Sequence, residues 1–233
     1  MTAGFWPAFV FPLVASTQDK KMRLTSSLLP FMAVMAAVVV ASNYLVQFPV
    51  DVTIGALNLA DLLTWGAFTY PVAFLVTDLA NRRFGAPTAR LVVLCGFVVA
   101  VALSVWLATP RIAVASGSAF LMAQLLDVSI FDRLRNRVWW LPPLTSTIIG
   151  SCLDTLIFFG LAFSQAGNVI GPGDAFGSEA APLLGLFALE APRWVSWALG
   201  DLAVKMIVGL AMLAPYGVLM PVLGASRAQP THR

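Results

Sequence analysis

Two long apolar stretches joined by a short connection constrain the fold of this chain more than any other feature. They lie within residues 111–163 and hold about 20 apolar residues each. An α-helix of that length rises about 30 Å, the thickness of the hydrocarbon core of a bilayer. The pattern therefore predicts a hairpin of two membrane-spanning helices.

Each predicted helix carries polar side chains on one face. The first has Gln124 and Asp127, and the second has Thr147, Ser151 and Asp154. At 3.6 residues per turn, the members of each set project from the same side. A charge near the bilayer centre costs about 2.5–3.5 kcal/mol on insertion scales, so such residues normally face a protein interior or a wet cavity. Two polar stripes on neighbouring helices predict a binding site inside a bundle.

The rest of the chain has the composition of an integral membrane protein. It is 59% hydrophobic and 11% charged, with a mean hydropathy of +0.86. The fold class predicted is an all-α membrane protein, a bundle of six transmembrane helices. We expect one membrane domain at 24–223, preceded by a cytoplasmic or interfacial segment at 1–23 and followed by a cytoplasmic tail at 224–233. The predicted spans are residues 24–48, 62–79, 91–108, 111–135, 145–163 and 194–215.

Basic residues predict the orientation. Of the 14 Lys and Arg residues, all but three fall on one side of the predicted spans. Arg111 and Arg193 lie on the other side, and Lys205 lies within the last span. By the positive-inside rule both termini are cytoplasmic, in a multi-pass protein of the bacterial inner membrane. This clustering also explains the net charge of +3 without a nucleic-acid partner.

Three further charged residues extend the candidate site, and each has a structural alternative. Asp78 lies near a cytoplasmic helix end, where it could pair with Arg82. Asp201 and Lys205 are spaced i,i+4 and could neutralise each other. Asp127 has a similar alternative in Arg133, whereas Asp154 has no basic residue within one turn, which favours a functional role.

Several classes of enzyme are excluded by the residues available. The only histidine is His232, next to the C-terminus, so intramembrane Ser–His proteolysis and haem or zinc ligation lack a ligand. No glycine-rich nucleotide loop is present. We therefore expect no enzyme activity and no cofactor, which leaves transport or a binding subunit of a transporter.

Three ordered motifs are similar to those of a known family. They are TYPVAFLVTDLANRRFG (69–85), RIAVASGSAFLMAQLLDVSIFDRLR (111–135) and STIIGSCLDTLIFF (146–159). Together they resemble the bacterial queuosine precursor transporter family over nearly all of residues 24–216. The resemblance implies uptake of 7-cyano-7-deazaguanine or 7-aminomethyl-7-deazaguanine for tRNA modification.

The polar residues suit such a ligand. A carboxylate accepts a bidentate pair of hydrogen bonds from N1–H and the exocyclic amine of a guanine-like edge. Lys205, Arg111 or Gln124 could donate to O6, and an aromatic ring such as Tyr70 could stack on the base. The expected substrate-binding residues are Asp154, Gln124, Asp127, Lys205, Arg111, Tyr70, Thr147, Ser151, Asp78 and Asp201.

Two hypotheses stay open at this point. The chain is either a self-sufficient secondary transporter or the substrate-binding membrane subunit of an ATP-driven vitamin-type importer. A subunit of the second kind should present small residues to a partner helix, and Ala33, Ala36, Ala37 and Ala41 offer a weak version of such a surface. Besides the lipid bilayer and the substrate, the sequence leaves a homodimer open.

Overall fold

The computed structural model describes the backbone of residues 11–224 and the side chains of residues 27–224. Nearly all of the predicted tail and the start of the predicted N-terminal segment lie outside these residues. In chain order the helices are α1 (Phe11–Leu45), α2 (Gly66–Thr69), α3 (Val72–Phe84), α4 (Ala86–Leu107), α5 (Pro110–Leu134), α6 (Leu141–Ala162), α7 (Ala175–Ser178), α8 (Arg193–Ala211) and α9 (Leu213–Val222).

Two small antiparallel hairpins occur in the described loops. One pairs β1 (Thr53–Ile54) with β2 (Leu57–Asn58), and the other pairs β3 (Ala180–Pro182) with β4 (Glu190–Pro192). Single 3-10 turns adjoin them, among them Leu59–Asp61. These elements are too short to form a core, and they connect helix ends.

Within the described residues, five helical stretches are long and apolar enough to cross a membrane. They are Ser27–Leu45, α4, α5, α6 and the α8–α9 stretch Arg193–Val222. The prediction of an all-α membrane protein is confirmed at this level. Five of the six predicted spans coincide with these stretches.

The remaining predicted span, residues 62–79, is a broken helix. α3 has 13 residues, which gives about 20 Å and is too short to cross alone. Tyr70 and Pro71 separate it from α2, although both keep helical backbone angles. Pro71 has no N–H to offer the carbonyl of Ala67, so the helical hydrogen-bond ladder is interrupted there. Hydropathy alone does not register such a break.

Proline and glycine set several helix boundaries. α4, α5 and α6 each have proline at the first or second helical position, where a missing N–H costs nothing. The side chain of Thr109 accepts from the backbone N–H of Ile112 and caps α5. Gly85 has φ of +90° and serves both as the end of α3 and as the start of α4. The chain therefore reverses at this point within a single residue.

The helices define two ends of the bundle. We call the end covered by residues 46–65 and 163–192 the loop end, where the indole N–H of Trp197 donates to the carbonyl of Asp61 at 2.9 Å. The opposite end carries Arg82, Arg83, Arg133 and Arg135, and we call it the basic end. α5 crosses between them at the centre, packed against both α4 and α6.

The outer surface of the bundle is strongly apolar. Trp106 is 88% exposed, Val105 73%, Leu156 72% and Ile207 69%. α4 also has a buried face, which includes Val92 and Val93, so only its other side meets the surroundings. Exposed side chains of this kind are compatible with a hydrocarbon environment and not with water.

Candidate functional site

A large cavity opens at the loop end of the bundle. It has a volume of about 960 Å³ and lies between α1, α4, α5, α6 and α8. Such a volume suits a small-molecule site, because pockets of this kind usually enclose roughly 300–1,000 Å³. Aromatic side chains contribute much of its wall, among them Phe158, Phe159, Phe163, Phe176 and Trp197.

Lys205 lies at the bottom of this cavity between two carboxylates. Its Nζ is 2.6 Å from Oδ2 of Asp154 and 2.5 Å from Oδ2 of Asp201. The side chains of Lys205 and Asp154 are only 4% and 5% exposed. The ion pairs therefore join α6 to α8 and neutralise a lysine that would otherwise be a costly buried charge.

Two hydroxyl groups complete this cluster. The hydroxyl of Tyr70 donates to Oδ1 of Asp154 at 3.1 Å, and Nζ of Lys205 lies 5.5 Å from the centre of the Tyr70 ring. Thr155 accepts from Lys205 at 3.3 Å and donates to Asp201 at 2.9 Å. We call Tyr70, Asp154, Thr155, Asp201 and Lys205 the outer cluster. Since Tyr70 adjoins Pro71, the break between α2 and α3 lies at the bottom of the cavity.

A second group of buried polar residues lies deeper. Thr77 donates to the side-chain oxygen of Gln124 at 2.7 Å, and Ser146 donates to Oδ1 of Asp78 at 3.3 Å. Asp127 is fully buried at the level of Asp78, because the side chain of Asn81 donates to the carbonyl of Val128 at 3.0 Å and holds α3 against α5 there. We call Thr77, Asp78, Gln124, Asp127 and Ser146 the inner cluster.

The two clusters occupy different levels along the bundle. Tyr70 contacts Phe120 with 6.1 Å between the ring centres. Asp127 follows Phe120 by seven residues on α5, which is two helical turns or about 10 Å. The polar residues predicted on neighbouring helices therefore lie at two levels of the bundle.

The basic end is closed by a network of arginines. Nε of Arg82 donates to the hydroxyl of Tyr216 at 2.9 Å, and its Nη1 donates to the carbonyl of Arg135 at 2.7 Å. Arg135 donates in turn to the carbonyl of Asn81 at 2.6 Å. The guanidinium of Arg82 also lies 4.9 Å from the centre of the Phe131 ring. These contacts tie α3 to α5 and α9 below the inner cluster.

Arg111 lies apart from both clusters. Its guanidinium donates to the carbonyls of Leu161 and Gly171 at 2.9 and 3.1 Å, and to the side chain of Asn168 at 2.9 Å. A further bond runs to the carbonyl of Ser164. Arg111 does not line the large cavity. It holds the end of α6 and the chain after it against the start of α5, so its donors are used within the protein.

Two other predicted residues also lie away from the large cavity. Thr147 is buried and borders a small cavity of about 10 Å³ beside Asp78. Ser151 is fully buried, and its hydroxyl has no hydrogen-bond partner in the described part of the chain. Of the ten predicted residues, the outer cluster includes Tyr70, Asp154, Asp201 and Lys205, and the inner cluster includes Asp78, Gln124 and Asp127.

The structure also decides between the pairings considered from sequence. The Lys205–Asp201 pair is present, but Asp154 from another helix shares the lysine. Among the ion pairs of the described residues, neither Asp78 with Arg82 nor Asp127 with Arg133 occurs. The surface-charge alternatives for these two aspartates are therefore not realised.

Sequence reasoning missed three polar residues of the two clusters and one of the arginine network at the basic end. Thr155, Thr77 and Ser146 each adjoin a predicted residue in sequence, which was a usable signal. Tyr216 had none, because its partner Arg82 is 134 positions away.

The known proteins that are similar to this chain are described as transporters. The family model described as "Putative vitamin uptake transporter" matches residues 64–109 and 103–219. The chain is 36% identical to the "Queuosine precursor transporter" of Escherichia coli strain K12 over 208 residues, covering 80% of this chain and 83% of that protein. It is 33% identical to the "Probable queuosine precursor transporter" of Haemophilus influenzae, with the same two coverages. No solved structure matches the chain.

Proposed function

The chain belongs to the queuosine precursor transporter family, and we propose that it imports 7-cyano-7-deazaguanine, 7-aminomethyl-7-deazaguanine or both. It is a multi-pass protein of the bacterial inner membrane. The observation that carries the proposal is a charged cluster at the bottom of a large cavity between apolar helices. Charged residues at such a depth are expensive and normally serve a substrate or ion pathway.

The outer cluster offers the groups that a guanine-like base requires. Asp154 or Asp201 would accept the two N–H bonds of the base edge, and Lys205 would donate to O6. Phe158, Phe159 or Phe163 would stack on the ring for about 1–3 kcal/mol. Because Lys205 already has carboxylate partners, substrate binding exchanges one set of ionic hydrogen bonds for another.

We further propose six crossings with both termini in the cytoplasm. The last turns of α1 and α4 both line the large cavity, so these two helices run in the same direction. The chain between them must return to the basic end, and α2 with α3 forms that return. Together residues 66–84 span about 28 Å, close to the hydrocarbon thickness. The basic end faces the cytoplasm by the positive-inside rule.

This orientation corresponds to a carrier that is open to the outside. The large cavity would receive substrate from the extracytoplasmic side, while the Arg82 network blocks the cytoplasmic side. Transport then requires the opposite arrangement, in which the loop end closes and the contacts of Arg82 with Tyr216 and Arg135 separate. Rocking around a fixed central site is the common mechanism of secondary transporters.

Reconstitution tests this function directly. The purified chain is placed in liposomes without ATP, and uptake of labelled precursor is measured. We expect saturable uptake by the wild type and by Glu190→Gln, an exposed carboxylate in β4. Asp154→Asn should insert normally and lose at least tenfold in uptake, because Lys205 and Tyr70 lose a shared partner.

The assay also separates the alternatives. Binding of precursor without uptake would instead favour the membrane subunit of an ATP-driven importer. Absence of both binding and uptake would contradict the proposed substrate. Full uptake by Asp154→Asn would exclude that carboxylate from the site.

A further inference from the structure

Two buried carboxylates face each other in the inner cluster. Asp78 on α3 is 2% exposed and Asp127 on α5 is fully buried, and the flanking contacts Thr77–Gln124 at 2.7 Å and Asn81–Val128 at 3.0 Å hold the two helices together at this level. Neither takes part in an ion pair in the residues that the structure describes. The arrangement differs from the outer cluster, where a lysine lies between the two carboxylates.

Few donors of the described residues reach this pair. Ser146 on α6 donates to Asp78, but both carboxylate oxygens of Asp127 lack a hydrogen-bond partner among the described residues. The charged and titratable groups nearby are Arg82, Arg135 and Tyr216, which bond to one another in the network at the basic end. Nη2 of Arg82 has no partner among the described residues, but no nitrogen of Arg82 or Arg135 lies within ion-pair distance of Asp78 or Asp127.

An additional polar group in the same place also lacks a partner. The amide nitrogen of Gln124 is fully buried one turn before Asp127, and no acceptor within the described chain receives its hydrogens. The cavity of about 10 Å³ next to Asp78, Pro71 and Tyr216 has room for one water molecule. These features mark a polar site below the large cavity.

We propose that Asp78 and Asp127 bind one proton between them and that this proton is the coupling ion of transport. Two adjacent carboxylates cannot both ionise without strong repulsion, and a shared proton converts the repulsion into a hydrogen bond. It would also supply the partner that Asp127 lacks. Two carboxylates and a hydroxyl are fewer oxygens than the roughly six to eight that a hard cation such as Ca²⁺ takes.

The position of the pair suits coupling. At the break between α2 and α3, Tyr70 lines the large cavity and Pro71 lines the small cavity beside Asp78. A proton from outside would thus reach Asp78 past the substrate site, and opening of the basic end would release it to the cytoplasm. This inference rests on the proposed function for the coupling, but the proton site itself does not require a substrate.

Infrared titration of the purified full-length chain tests the site without any substrate. At neutral pH the wild type should show the C=O stretching band of a protonated carboxyl group. Asp127→Asn should remove that band, because the amide can donate to Asp78 in place of the shared proton. Asp132→Asn, an exposed carboxylate on the same helix, should retain it. An identical band in wild type and Asp127→Asn would overturn the proposal.

Uptake under a pH gradient tests the coupling. With the outside about one pH unit more acidic, one proton per neutral substrate supports about tenfold accumulation in liposomes. We expect Asp127→Asn and Asp78→Asn to reach no accumulation but to keep substrate exchange across the membrane. Tenfold accumulation by Asp127→Asn would overturn the coupling role. If the wild type moves no precursor, the proposed function fails, and the infrared titration still decides the proton site.

Discussion

The most consequential contact at the residue scale is the sharing of Lys205 by two carboxylates. A lysine with one partner at i+4 distance would be a local helix pair, of the kind seen on many surfaces. Here the second partner, Asp154, comes from a different helix and has its own bond to Tyr70. The cluster therefore positions three segments of the chain as well as neutralising charge.

Variants that remove the charges of the outer cluster should distinguish its contribution to stability from its contribution to transport. Lys205→Met leaves Asp154 and Asp201 buried without a cation, and loss of one partner of a buried pair costs about 3–5 kcal/mol. The triple variant with Asp154→Asn and Asp201→Asn removes all three charges and should recover most of that loss. Thermal unfolding in detergent measures the stability, and liposome uptake measures the function.

We expect neither variant to transport. Uptake near the wild-type rate by the triple variant would show that the charges serve only structure. A single variant as stable as the wild type would show that the ion pairs contribute nothing to folding.

Individual residues also show how far sequence reasoning reaches. Polar residues inside apolar stretches could be identified, because composition makes each of them conspicuous. The grouping of these residues into two clusters could not be predicted. Helix periodicity shows on which face of its helix a residue lies, but not its depth relative to residues of another helix. Arg111 illustrates the same limit. Its carbonyl acceptors lie in the last turn of α6 and in the loop after it, 50 to 60 positions away, and no local pattern indicates them.

At the scale of elements, the break between α2 and α3 is the main departure from the hydropathy pattern. Pro71→Ala should restore a backbone N–H for Ala67 and join the two helices into one. The added hydrogen bond stabilises a straight helix, since proline inside a helix costs about 3 kcal/mol. Straightening shifts Tyr70 relative to Asp154, so we expect a stable protein with several-fold slower uptake. Unchanged uptake would show that the break has no part in transport.

The loop end offers a second test at this scale. Gly167 packs against the carbonyl of Leu161 and the guanidinium of Arg111, and a Cβ at this position would collide with both. Gly167→Ala should therefore destabilise the loop by about 1–3 kcal/mol, the usual cost of overpacking. Gly160→Ala is the matched control, because a Cβ there meets no atom within 4 Å. The stability of the loop in the two variants is compared by proteolysis at increasing protease concentration. Equal resistance of the two variants would show that the close contacts of Gly167 do not stabilise the loop.

Long helices could be predicted from sequence because length and apolar content suffice for them. The division of the predicted segment 62–79 into two shorter helices could not be predicted from sequence. A proline signals an interruption, but whether the helix bends or stops depends on neighbours such as Asp154, which binds the tyrosine at the break.

For the whole molecule, the concentration of basic residues at one end of the bundle predicts that this end faces the cytoplasm. Cys95 and Cys152 are replaced by serine, and single cysteines are introduced at exposed positions of the two ends. Ala175→Cys, at the loop end, should react with a membrane-impermeant thiol reagent added outside spheroplasts. Asn136→Cys, at the basic end, should react only after the membrane is opened. The reverse pattern would invert the bundle and contradict cytoplasmic termini.

The internal pairing of Lys205 has a kinetic consequence for a carrier. When the cavity is empty, the ammonium of Lys205 is paired with Asp154 and Asp201, so the site holds no unpaired cation and one carboxylate charge in excess. An unloaded carrier of the proposed kind can therefore close without an unpaired cation at this site. Carriers whose empty site keeps an exposed charge are restricted to swapping one solute for another, because only the loaded form reorients. Under the proposed function, the pairing of Lys205 favours net accumulation, in which each return step is made by the empty carrier.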